Sequence, residues 1–341
     1  MRCRSGNALQ HLLMLAIEAR GLRKVFRTFD RRPGFWGGMR DVFDRRWKEL
    51  EAVASIDLTV PAGEVIGYIG PNGAGKSTTI KMLTGIMRPT SGTVRVNGFD
   101  PQRERQQYVR TVGAVFGQRS QLWWDLAVSE SFELLCELYG VPKQVAAERI
   151  ARFDQVLGLA DFLATPVRKL SLGQRMRADL AASLLHDPAV LFLDEPTVGL
   201  DVITKAKLRE FLSELNRERQ TTIILTTHDL QDIEALCSRV VVIDHGRVVH
   251  DGDLDGLRRR FGGGKRVAFT LSAPVEVLPE LAGSITIWSR KDALHVTAEL
   301  IEGADIPAVL SRCLAALPVA DLTIEEPMIE DVVKTLYGGR S

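Results

Sequence analysis

Three short runs along the chain are apolar at nearly every position rather than at every second one: Val65-Ile66-Gly67-Tyr68-Ile69, Val190-Leu191-Phe192-Leu193 and Thr222-Ile223-Ile224-Leu225. Unbroken apolarity predicts strands covered by helices on both faces, as in a parallel sheet. Each run passes into small or polar residues and then into a helix-like stretch, the order of a doubly wound α/β core. Between the first two runs the pattern changes. Leu134, Leu135, Leu138, Ile150, Phe153, Val156 and Leu157 recur at helical spacing and β-branched runs are absent, which predicts a mostly helical insertion over about 122–185.

A glycine break at Gly262-Gly263-Gly264 precedes a segment of different character. Val267 to Leu271, Ile285 to Ile287, Leu294 to Thr297 and Leu322 to Ile324 read as strands, and Ile306 to Leu317 and Pro327 to Leu336 as helices. The expected organisation is a main domain over 15–260 and a small α+β domain over 265–341, after a flexible extension over 1–14. A length of 341 residues suits one large and one small domain.

Composition narrows the function by exclusion. Lys+Arg is 44 and Asp+Glu is 43, so no overall charge calls for nucleic acid as a partner. Cys3, Cys136, Cys237 and Cys313 lie far apart with no C-x-x-C pair, and the six histidines form no metal-binding spacing. A disulfide framework and a protein-built zinc site are therefore not expected. No apolar run reaches the roughly 20 residues of a spanning helix. The stretch from Leu9 to Ile17 is broken by Gln10 and His11 and is too short for a signal peptide, and Met14 is an alternative start.

The clearest chemical signal is Gly70-Pro71-Asn72-Gly73-Ala74-Gly75-Lys76-Ser77, followed by Thr78, which fits G-x-x-x-x-G-K-[ST] and directly follows a strand. Glycines let backbone N–H groups close around crowded, anionic triphosphate oxygens, and a helix starting near Lys76 points its positive end at them. Lys76 would reach the β- and γ-phosphates and the Ser77 hydroxyl would hold Mg²⁺. Further along, the apolar run at Val190 ends in two carboxylates, Asp194 and Glu195. Tandem carboxylates downstream of a phosphate loop suit two jobs, Asp194 as a Mg²⁺ partner and Glu195 as the general base that polarises the attacking water.

Here the residues match a family. Leu170-Ser171-Leu172-Gly173-Gln174 resembles the signature of ABC ATPases, Gln118 the Q-loop glutamine, Gly199-Leu200-Asp201 the D-loop, and His228 within Thr226-Thr227-His228-Asp229 the switch histidine. These elements stand in family order, and the resemblance covers about 15–260. It implies a P-loop NTPase core, a mixed sheet flanked by helices, with a helical subdomain inserted. It also implies ATP hydrolysis with Mg²⁺ by two subunits closed head to tail, a homodimer being favoured by the full motif set in one chain. Each ATP would then sit between Lys76 of one subunit and Ser171, Gly173 and Gln174 of the other, with Asp201 at the same interface. His228 would hold the water and Glu195 in place. Gln118 would sense Mg²⁺ and the γ-phosphate. One departure stands out: Leu172 replaces the usual second glycine of the signature.

The family's adenine-stacking aromatic has Phe26 as its best counterpart, with a plain core strand residue as the alternative. Val115 to Leu126, which contains Trp123 and Trp124, resembles ATPase subunits of ABC-2 type exporters. The motor would then lie on the cytoplasmic face of the membrane and power a separate permease, with Trp123 and Trp124 either anchoring the permease or packed in the core. The basic and aromatic stretch around Arg31 to Lys48 could face lipid or permease, or be a solvated loop. The competing class is a soluble ABC ATPase acting on nucleic acid or ribosomes; those relatives typically carry long coiled-coil inserts or two cassettes, neither of which is present.

Overall fold

The structure is a computed structural model that describes residues 15–29, 47–117, 120–227, 229–261, 265–279, 284–301 and 303–325. The described residues fall into two compact units, one up to Asp251 and one from Gly252 onward. The division thus comes ahead of the glycine break at 262–264, which lies outside the described residues.

The first unit is built on a nine-stranded sheet of order β4-β1-β2-β9-β8-β3-β7-β6-β5. Its parallel heart is β5 (Val112–Phe116), β6 (Val190–Asp194), β7 (Thr222–Thr226), β3 (Val65–Ile69) and β8 (Arg239–Asp244). β3 and β7 are buried at all five positions and β6 at four of five, as the continuous apolar runs require. At the other edge β1 (Leu15–Phe29), β2 (Trp47–Pro61) and β4 (Ser91–Val96) pair antiparallel, which makes the sheet mixed, while β9 (Arg247–Gly252) pairs parallel to β2. The core between these strands and the helices includes Ile17, Leu22, Ile56, Ile66, Tyr68, Ile80, Leu83 and Phe192. Each aliphatic or Phe side chain so removed from water stabilises the fold by about 1.5–3 kcal/mol.

β1 and β2 outrun the sheet as a two-stranded ribbon. Arg27 pairs with Glu49 and Phe29 with Trp47, so Trp47 and Lys48 at the end of the basic aromatic stretch are strand; 30–46 lie outside the described residues. Cross-strand ion pairs from Arg23 to Glu51 and from Arg27 to Glu49 line it.

The insertion between β5 and β6 is helical: α3 (Val128–Tyr139), α4 (Lys143–Leu157) and α5 (Leu172–Leu184). They follow α1 (Lys76–Leu83) and α2 (Arg105–Tyr108). In α3, Val128, Phe132, Leu135 and Cys136 face inward while Leu134 and Leu138 are exposed, so the helical spacing marked a helix but not one buried face. Two further helices complete this unit, α6 (Val202–Arg219) after β6 and α7 (Leu230–Leu236) after β7.

The second unit contains α8 (Leu254–Phe261) and an antiparallel sheet of order β11-β12-β10-β13, formed by β10 (Arg266–Leu271), β11 (Ile285–Arg290), β12 (His295–Leu300) and β13 (Val319–Glu325). The helix α9 (Ile306–Ala316) covers one face, where Val267, Phe269, Leu271, Val296, Val309 and Cys313 make a separate core. The helix expected over 327–336 lies outside the described residues.

Candidate active site

The loop from Gly70 to Gly75 joins β3 to α1 and is shaped by two glycines that tolerate no side chain. A Cβ at Gly70 would stand 2.4 Å from the Ile243 carbonyl oxygen. Gly75 has φ 104, and a Cβ there would stand 2.5 Å from the Ala52 carbonyl oxygen. The backbone is thus free to turn its N–H groups into a concavity at the start of α1. Pro71 is partly buried and its carbonyl accepts from the Ala74 N–H at 3.1 Å; Asn72 and Gly73 are exposed, and Thr78 is partly buried.

Lys76, the first residue of α1, is buried, and its ammonium donates to the Gly70 and Pro71 carbonyls at 2.5 and 3.0 Å. Burial pulls its pKa below the usual lysine range, opposed by the Glu195 and Asp194 carboxylates nearby. The cation is therefore folded back over its own loop, within reach of the space a phosphate would enter.

Ser77 and Asp194 meet across the sheet. The serine hydroxyl lies 3.4 Å from Asp194 Oδ2, and the Thr226 hydroxyl donates to Asp194 Oδ1. Two oxygen donors side by side at the mouth of the phosphate loop fit a hard divalent cation such as Mg²⁺, which prefers oxygen and takes one or two carboxylates plus phosphate oxygens. No cluster of three or more His, Cys, Asp or Glu that could hold a metal ion by itself occurs among the described residues.

Glu195 follows at the end of β6 with φ 57, a left-handed conformation that costs a non-glycine residue about 1–2 kcal/mol. Its N–H donates to the Thr226 carbonyl at 2.9 Å, which fixes the turn. Strain of this kind concentrates at functional sites, where surrounding structure over-determines it. A cavity beside Glu195 is lined by Phe116, Gly117, Ser120, Leu172, Arg175 and Asp179, so the glutamate faces residues that follow β5 and the first turns of α5.

At that helix, Ser171 is the N-cap of α5. Its hydroxyl oxygen accepts from the Gln174 N–H at 3.2 Å, and the Gln174 side-chain oxygen accepts from the Ser171 N–H at 2.9 Å. This reciprocal cap holds the end of the helix open and leaves the Ser171 hydroxyl proton to donate outward. The Gln174 side-chain oxygen, by contrast, is turned back into its own helix. Leu172 is half exposed and packs on Gly199: a Cβ at Gly199, whose φ is 78, would stand 2.9 Å from Leu172 Cδ2. Gly173 is equally tight, 2.9 Å from the Gly199 carbonyl oxygen for an added Cβ. The departure at the signature is thus matched by a glycine in the opposing turn of the same chain.

Asp201 caps α6, accepting from the Thr204 N–H at 2.9 Å and the Thr204 hydroxyl at 2.6 Å, which together hold its carboxyl below the usual range. Phe26 lies half-buried on β1 opposite Leu50, with the Lys24 ammonium 5.3 Å from its ring centre. Trp123 and Trp124 are 42% and 51% exposed, so neither is a core residue, and the Arg175 guanidinium lies 5.1 Å over the Trp124 ring. Gln118 and His228 lie outside the described residues.

Two buried carboxylates escaped sequence reading. Asp179, on α5, accepts from the Ser120 hydroxyl and the Gln121 N–H, both at 2.9 Å; burial pushes its pKa up to about 6 against those hydrogen bonds. Asp232, on α7, is fully buried among three donors. Nothing in the local sequence distinguishes either from a solvated helical acid.

Comparisons with known proteins agree with this geometry. The sequence model of the family described as ABC transporter matches residues 53–198. The chain is 40% identical to the daunorubicin/doxorubicin resistance ATP-binding protein DrrA of Streptomyces peucetius over 84% of this chain and 88% of that one. A solved ATP-binding subunit of an ABC transporter superposes with a TM-score of 0.61 at 27% identity, over 72% of this chain and 93% of that one. A dimeric bacterial ABC transporter cassette superposes with a TM-score of 0.56 at 25% identity, over 70% of this chain and 98% of that one. With a phosphate loop, a paired carboxylate strand end and a capped signature helix on one mixed sheet, and a relative matched over most of both chains, this chain belongs to the ABC transporter family as an ATP-binding ATPase subunit.

Proposed function

We propose that the chain drives a separate membrane permease of the ABC-2 export type, with Mg²⁺·ATP as its fuel and two copies closing head to tail around two nucleotides. Gly70 to Thr78 cradle the phosphates and Lys76 pairs with the β- and γ-phosphates. Ser77 and Asp194 hold Mg²⁺, which when bound neutralises phosphate charge. Glu195 takes the proton of the attacking water, and His228 and Gln118 complete the constellation. Ser171 and Gly173 address the γ-phosphate of the nucleotide held by the second copy, with Asp201 beside them, and Phe26 stacks on the adenine. Loss of the γ-phosphate removes the charge that both copies share, so the pair reopens.

The observation that carries this reading is the convergence of Ser77, Asp194 and Lys76 at the mouth of one loop, with Glu195 next in line. Leu172, Val198, Val202 and Ile203 are exposed around the signature and D-loop, an apolar surface suited to a partner copy. The relative's name speaks of drug resistance, which fits outward transport. No helix among the described residues is long and apolar enough to cross a membrane. Trp123 and Trp124, with Leu134 and Leu138 exposed on α3, offer the aromatic and apolar anchors that the permease would grip.

The test is ATP hydrolysis by the purified chain beside Glu195→Gln, with gel filtration in the presence and absence of ATP. Turnover by the wild type, a loss of about 100-fold or more in the variant, and an ATP-dependent dimer of that variant are expected. Hydrolysis by Glu195→Gln at the wild-type rate removes Glu195 from its role.

A further inference from the structure

Two segments carry the groups that must act together on one water. The first leaves β6 through Glu195 and Thr197, and the second leaves β7 through Thr227, His228 and Asp229. A single buried carboxylate joins them. Asp232, in the first turn of α7, has no exposed surface. Its Oδ2 accepts from the Thr197 hydroxyl at 2.7 Å and from the Thr227 hydroxyl at 3.1 Å. Its Oδ1 accepts from Arg209 Nε at 2.6 Å.

The lattice extends around the same point. The Thr227 hydroxyl oxygen accepts from the Asp229 N–H at 2.9 Å, and the Asp229 carboxylate receives Lys205 Nζ at 2.8 Å and Arg209 Nη2 at 3.5 Å. Lys205 and Arg209 both come from α6, the helix that begins at Asp201. Two carboxylates thus face two cations.

We propose that Asp232 is a positioning residue for hydrolysis, with Arg209 as its counter-ion: it ties Thr197, two residues after Glu195, to Thr227, the residue before His228, and so holds the two segments in one register. The proposal rests on the reading of Glu195 and His228 as the hydrolytic pair. Its physical basis is twofold. A buried ion pair is weak as a source of stability, because desolving the charges offsets their attraction, so this one calls for another reason. Proton abstraction from a held water fails steeply with sub-ångström misplacement, and a fully satisfied buried network is how a protein fixes two loops at that tolerance. The two hydroxyls converge on one oxygen, so motion of either segment strains the other.

The experiment measures kcat, KM and equilibrium ATP affinity for the full chain carrying Asp232→Asn, Arg209→Gln, the pair together, and Thr197→Val, beside wild type and Glu195→Gln. Asp232→Asn and Arg209→Gln are each expected to lower kcat about tenfold or more while ATP affinity stays within about twofold. The double variant is expected to be no worse than the weaker single, since the groups act as a unit. Thr197→Val removes one arm without altering shape and is expected to lower kcat several-fold; it decides the matter if Asp232→Asn does not fold. Wild-type kcat in these variants, or ATP affinity falling in step with kcat, overturns the proposal. Turnover by Glu195→Gln would instead overturn the underlying reading, so the two failures are told apart.

Discussion

The Ser77 hydroxyl lies 3.4 Å from the Asp194 carboxylate, although 117 residues separate the two in the chain. Ser77 reaches this point at the head of α1, after β3, and Asp194 at the end of β6; β7 lies between those strands and binds Asp194 through Thr226. The carboxyl ends of parallel strands converge on the crevice where such sheets take their ligands. Replacing Ser77 by Ala removes one of two oxygens offered to a cation. The concentration of Mg²⁺ needed for half-maximal ATP hydrolysis should rise by about tenfold, the equivalent of one modest coordination bond. A magnesium titration of the ATPase that leaves the midpoint in place would detach Ser77 from the metal.

Glu195 illustrates a second consequence of the same crevice. Its φ of 57 is held by the surrounding structure, strain of the kind that concentrates at functional sites. Glu195→Ala and Glu195→Gly both remove the carboxylate and should both be inactive. Only glycine relaxes the left-handed strain, so Glu195→Gly should be more stable than Glu195→Ala by roughly 0.5–1 kcal/mol after its larger unfolded-state entropy is counted. Urea unfolding of the two variants settles the order, and a less stable glycine variant would mean that the turn carries no strain.

Asp179 gives a pH dependence. Burial raises its folded-state pKa from 3.8 to about 6, so the folded chain holds the proton more tightly than the unfolded chain. The stability from that proton is present below about pH 4 and is lost as pH rises through about 6, by on the order of 3 kcal/mol in all. Asn at this position keeps an oxygen to accept from Ser120 and Gln121 but has no proton to lose. The stability of Asp179→Asn relative to wild type should therefore grow between about pH 4 and pH 7 and then level off. Denaturation midpoints that stay parallel over this range would show that the carboxyl titrates normally.

Much of this molecule is legible in local pattern. Val65–Ile69, Val190–Asp194 and Thr222–Thr226 are strands because both faces are covered, and continuous apolarity records that directly. The phosphate loop is contiguous, and its chemistry depends on glycine, lysine and hydroxyl at fixed spacing on one turn, so eight residues suffice to read it.

Tertiary structure alone decided the rest. Leu134 and Leu138 share helical spacing with Leu135, yet only packing against neighbouring elements determines which face is buried. That Leu172 is tolerated depends on Gly199, a turn 27 residues on that has no side chain to meet it. The position proposed for Asp232 arises from Thr197, Thr227 and Arg209, which come from the turn after β6, the segment after β7 and α6. A sequence records what a residue does to its near neighbours along the chain. Contacts set by long-range packing leave no period or spacing behind, and there only the fold brings the partners into view.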